Sequence, residues 1–116
     1  MSAARGHATR HWRNQRLSAL TLLPLGGWFL WSLLALPDPG YDSVRGWLAA
    51  PAQSALMLLF AWCALWHSAL GVQVILEDYV GGAWYGAARW SSRLAHLGAA
   101  LAVAWALAAM LRGAPA

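Results

Sequence analysis

AQSALMLLFAWCALWHSALGVQVIL, residues 52–76, contains no aspartate, glutamate, lysine or arginine. At a rise of about 1.5 Å per residue, such a run crosses the roughly 30 Å hydrocarbon core of a bilayer with some tilt to spare. Pro51 stands just ahead of it, Glu77-Asp78 closes it, and Gly81-Gly82 breaks the chain soon after. Working outward, Leu17–Leu36 is a second run without formal charge, ended by Pro37-Asp38-Pro39-Gly40. A third, Leu94–Leu111, is shorter and alanine-rich, framed by Arg93 and Arg112, and still within the usual range for a span. The expectation is an all-α integral membrane protein. Three transmembrane helices over 17–36, 52–76 and 94–111 form a single membrane-anchor domain, 1–116, behind a basic arm, 1–16.

Composition agrees. Of 116 residues, 60% are hydrophobic and 10% charged, where a soluble domain carries about 25% charge to cover its surface. The first run exceeds the apolar region of a cleaved signal peptide, and Pro37 occupies the place where cleavage needs a small residue, so it is expected to remain as a helix. The formal charge of +4 comes from arginines at the ends of apolar runs, with no lysine and no nucleic-acid-binding motif, which argues against nucleic acid as a partner. The single cysteine, Cys63, lies in an apolar run and cannot make an internal disulfide.

Orientation follows from arginines in short flanks. Arg5, Arg10, Arg13, Arg16, Arg89 and Arg93 fall on one side, and Arg45 and Arg112 on the other. This places the N-terminus in the cytoplasm and the C-terminus in the periplasm. Four of the nine tryptophans, Trp12, Trp47, Trp84 and Trp90, flank the spans at headgroup level. Gly98, Ala102 and Ala106 give the third helix a small-residue stripe for close packing.

His67 is the most informative residue. It lies slightly past the middle of the second run, where an ionisable side chain is costly and turns to the protein interior. Two roles fit equally well: ligation of haem iron, with Gly71 one turn on leaving room for a porphyrin, or a neutral imidazole bonded to a neighbouring helix. Asp78 lies nearly on the His67 face, about 16 Å further along the helix. Tyr79 beside it could donate a hydrogen bond to a quinone carbonyl, with Asp78 holding that hydroxyl or relaying a proton. Both also fit an ordinary polar boundary. Arg16 abuts the first run and could reach a carboxylate such as a haem propionate, whereas Arg5, Arg10 and Arg13 suit topology alone. His96, opening the third helix, is expected to be hydrogen-bonded or snorkelling. There is no nucleotide loop, no metal-ligand pair at i, i+4, and no nucleophile with a base.

The segment His67-Ser-Ala-Leu-Gly71-Val-Gln73-Val-Ile-Leu-Glu77-Asp78-Tyr79-Val80 resembles the hydrophobic membrane anchor of succinate dehydrogenase (respiratory complex II). That family carries a histidine, a glycine four residues on, a Gln-Val pair and an Asp-Tyr pair at this spacing. Trp12-Arg-Asn-Gln-Arg16-Leu-Ser18-Ala19-Leu is similar to its approach to the first helix. The resemblance implies that His67 is an axial ligand of haem b, the other ligand coming from a partner cytochrome b anchor subunit. It implies that Tyr79 hydrogen-bonds ubiquinone beside Asp78, and that Arg16 lies near the haem propionates. It also implies iron–sulfur and flavoprotein partners, the latter carrying the succinate chemistry of the tricarboxylic acid cycle.

The expected role is thus the smaller anchor of succinate:quinone oxidoreductase in a bacterial inner membrane, since little room precedes the Arg16 motif for a presequence. Alternatives are a b-type haem anchor of another quinone-linked dehydrogenase and a three-span holin-like protein. In a holin the His67–Tyr79 spacing would be accidental. A small multidrug exporter needs four spans and an acid in the first helix, and 17–36 has none.

Overall fold

Hydrocarbon offers the backbone no hydrogen-bond partner, so a chain with three long apolar runs satisfies its amides within helices. The computed structural model describes residues 2–113, and the elements are α1 (Ser2–Leu34), α2 (Tyr41–Leu48), α3 (Pro51–Tyr79) and α4 (Ala83–Leu111). Three of these are long and apolar enough to cross a membrane, over Arg5–Leu34, Pro51–Tyr79 and Ala83–Leu111.

The helices outrun the apolar stretches. The basic arm is helical and continuous with the first span, because its Arg, Gln and Ala residues are good helix formers and no proline intervenes before Pro24. Thr9 Oγ1 donates to the Arg5 carbonyl at 2.8 Å within this part. Arg89 and Arg93, which flank the third apolar run, ride on the first three turns of α4, which begins at Ala83. The turn before α4 is short, and Gly82 adopts φ +63°, a conformation that L side chains rarely take. The element not foreseen is α2, an eight-residue helix in the first connection. It is fixed by Trp47 against Trp28, ring centroids 5.6 Å apart, and by Ser54 Oγ donating to the Leu48 carbonyl.

α3 is the middle of the bundle, packed against α1 on one side and α4 on the other. Phe60 meets Phe29 of α1 at 5.2 Å between ring centroids, and Trp62 Nε1 donates to the Ala100 carbonyl of α4 at 3.1 Å. Very little is enclosed: Leu25, Leu107 and Ala109 are the buried apolar residues among those described, while Trp31 (76% exposed), Leu23 and Trp105 face outward. An apolar exterior on this scale belongs in lipid or against other subunits; the protein is a multi-pass membrane protein. The longest dimension, 55 Å, exceeds the hydrocarbon core. Helix ends therefore project into the headgroup region.

Candidate functional site

The site begins where α1 and α3 touch, at Ser18 and His67. Ser18 is completely buried. Its hydroxyl donates to the Gln15 carbonyl in its own helix at 2.9 Å, and the same oxygen lies 2.9 Å from His67 Nδ1. A hydroxyl has one proton and two lone pairs. With the proton on the Gln15 carbonyl, the oxygen accepts from His67 Nδ1–H. In that arrangement Nδ1 carries the ring proton, and Nε2 has no hydrogen-bond partner among the described residues. An outer hydrogen bond on one ring nitrogen orienting the other is the usual support of a histidine that ligates metal.

The neighbouring residue fastens α3 to the opposite side. Ser68 Oγ lies 3.1 Å from His96 Nε2, and His96 Nδ1 lies 2.8 Å from the Ser92 carbonyl. A carbonyl only accepts, so Nδ1 carries the proton and Nε2 accepts from Ser68. Both nitrogens of His96 are therefore occupied, matching the hydrogen-bonded role expected for it. Residues 67 and 68 thus tie the central helix to both neighbours at one level. His96 is a brace, whereas His67 keeps a free nitrogen.

Toward the arginine-rich end, the cleft between α1 and α3 opens into a cavity of about 760 Å³. His11, Trp12, Gln15, Gly71, Val74 and Glu77 are among its lining residues. Gly71 contributes to its floor; a methyl group there would stand 3.8 Å from Gln15 Nε2. Arg16 is exposed, its guanidinium 5.4 Å from the Trp12 ring centroid in a cation–π contact. Asp78 and Tyr79 form the exposed last turn of α3, with Tyr79 83% accessible. Glu77 is engaged by Gln73 Nε2 at 2.8 Å and by the Tyr85 hydroxyl at 3.5 Å.

Of the residues picked from sequence, His67 is thus joined to the Arg16 segment of α1 through Ser18, while Asp78 and Tyr79 stand apart at the helix end. Ser18 and Gln15 make the contact to His67 that sequence reasoning did not anticipate. The available signal was a hydroxyl placed just inside an apolar run, which a helix ordinarily satisfies with its own carbonyl.

The residues present fit a b-type haem. No three His, Cys, Asp or Glu side chains converge as a metal cage among the described residues, so a metal at His67 would take one axial ligand from this chain. The His67 imidazole is the donor type that a haem iron requires, and the exposed Arg16 guanidinium on α1 is the type that a propionate requires.

These features define a small three-span membrane protein with an imidazole bonded between two of its spans and most of its arginines at one end. The chain belongs to the succinate dehydrogenase/fumarate reductase transmembrane subunit family, whose family model matches residues 2–111. The succinate dehydrogenase hydrophobic membrane anchor subunit of Rickettsia bellii (strain RML369-C) is 31% identical over 72 residues, 62% of this chain and 58% of that protein. The subunit of the same name from Rickettsia felis (strain ATCC VR-1525 / URRWXCal2) is 26% identical over 77 residues, 66% of this chain and 64% of that protein. The matches thus span less than two thirds of either relative's length. No solved structure matches the chain.

Proposed function

We propose that this chain is the hydrophobic anchor of a succinate:quinone oxidoreductase. It shares a b-type haem with a partner cytochrome b subunit and contributes to the ubiquinone-reduction site. The observation that carries this reading is the Ser18–His67 hydrogen bond, which engages Nδ1 and leaves His67 Nε2 available to ligate. His67 would supply one ligand to the haem iron and the partner cytochrome the other. The haem, when bound, would supply a one-electron store. Arg16 on α1 places positive charge for a propionate.

Tyr79 donates its hydroxyl proton in a hydrogen bond to a quinone carbonyl, and Asp78 next to it orients that hydroxyl or relays a proton. Their exposure supports the reading, since this surface has room for a quinone and for the partners that complete the pocket. Electrons come from the flavoprotein, where succinate is oxidised in the tricarboxylic acid cycle, by way of the iron–sulfur partner, and the anchor tethers both. The arginine distribution supports a cytoplasmic N-terminus and periplasmic C-terminus in a bacterial inner membrane.

Tyr79→Phe in the assembled complex tests the quinone assignment. Loss of one donor to the quinone oxygen is expected to lower quinone reduction by about tenfold, while succinate oxidation with an artificial acceptor persists. Unchanged quinone reduction would contradict the assignment, and equal loss of both activities would point to failed assembly instead.

A further inference from the structure

A second cavity, of about 230 Å³, lies at the arginine-rich end between all three long helices. Arg10, His11 and Asn14 of α1, Gln73 of α3, and Arg89 and Arg93 of α4 line it, and no carboxylate does. Two of the atoms there, His11 Nε2 and Arg89 Nε, are buried without a hydrogen-bond partner among the described residues. An arginine Nε–H can only donate. Of the two carboxylates on the adjoining turn, Glu77 accepts from Gln73 and Tyr85, and Asp78 is exposed. Three guanidinium groups bordering one concave surface repel one another, and an anion with several acceptor oxygens relieves both the repulsion and the unpaired donors.

Depth identifies the anion. Arg93 immediately precedes the apolar run 94–111, and Gln73 lies near the end of the run 52–76. The cavity therefore sits at headgroup level. On α4, Trp90 beside the cavity-lining arginines and Leu94 and Leu97 deeper along the helix are 61%, 63% and 57% exposed, apolar surface on which an acyl chain can lie. Basic pockets between transmembrane helices at this level suit anionic lipid headgroups. We propose that this cleft binds the phosphate of an anionic phospholipid. Arg89 and His11 donate to its oxygens, and Arg10 and Arg93 neutralise its charge. The site is independent of His67 and Tyr79.

The test uses the assembled complex extracted in mild detergent and reconstituted into nanodiscs of phosphatidylglycerol or phosphatidylcholine, with retained lipid counted by native mass spectrometry. Wild type is expected to hold phosphatidylglycerol and release phosphatidylcholine, and retaining both equally would overturn the proposal without recourse to any variant. Arg89→Gln with Arg93→Gln is expected to weaken phosphatidylglycerol retention roughly fivefold per arginine. Arg112→Gln, at the other membrane end, is expected to leave it intact. Unchanged retention in the double variant would refute the site. Displacement of the lipid by inorganic phosphate at equal concentration would show a free-anion site instead. Loss of a partner chain from the double variant with lipid retention unchanged would assign the cleft to an acidic protein segment.

Discussion

Replacing Ser18 by alanine removes a single oxygen that serves two hydrogen bonds, to the Gln15 carbonyl and to His67 Nδ1, each 2.9 Å long. The space opened is smaller than a methyl group, so the cavity penalty is slight and the hydrogen-bond loss dominates. An interhelical hydrogen bond in a membrane protein is worth about 0.6 kcal/mol on average and up to roughly 1.7 kcal/mol. The Nδ1–H left in a half-buried cleft adds a desolvation cost of about 1–3 kcal/mol unless the ring turns to find a partner. A net loss of about 1–2 kcal/mol follows. Loss of the outer partner of a metal-ligating histidine costs roughly 10–100-fold in metal affinity, a similar range expressed as binding. The assay is the haem-to-flavin ratio of the complex after repeated detergent washing, read with the reduced-minus-oxidised spectrum. Ser18→Ala is expected to lose haem progressively and to shift the b-type band. Thr21→Ala is the matched control, because that hydroxyl bonds only the Leu17 carbonyl of its own helix. If Ser18→Ala and Thr21→Ala retain haem equally with identical spectra, the Ser18 bond does not orient a haem ligand.

His96→Ala removes the brace between Ser68 and α4, so it is expected to lower thermal stability in detergent by about 0.6–1.7 kcal/mol. The b-type spectrum should stay in place, and loss of the haem band in this variant would mean that His96 and not His67 is the ligand. For orientation, a reporter active only in the periplasm is expected to be silent when fused to the N-terminus. Activity from that fusion would invert the topology and move Tyr79 to the periplasmic side.

The three spans were legible because each apolar run is free of formal charge and bounded by breakers or arginines. Helix ends were less so, since hydropathy marks the thickness of hydrocarbon and not the length of a helix. Residues 2–16 and 83–93 are helical although they lie outside the apolar runs, and they carry the arginines that line the second cavity. The α2 helix escaped because eight residues containing Gly46 give no period long enough to recognise; its stability comes from tertiary contacts such as Trp28 on Trp47. His67 stood out through the cost of an imidazole at mid-depth. Ser18 could not, because a serine in an apolar helix satisfies its own hydroxyl locally, and only packing shows that its lone pairs face α3. The same limit separated the two histidines: His67 and His96 are both imidazoles near one level, and the free nitrogen of one against the double engagement of the other is a fact of three dimensions.

The central claim is that His67 holds one axial position of a b-type haem, and His67→Ala in the complete complex tests it most directly. Reduced-minus-oxidised absorbance, normalised to flavin, is expected to show the b-type band lost or shifted while the flavoprotein still oxidises succinate. A band unchanged in position and intensity would contradict the claim.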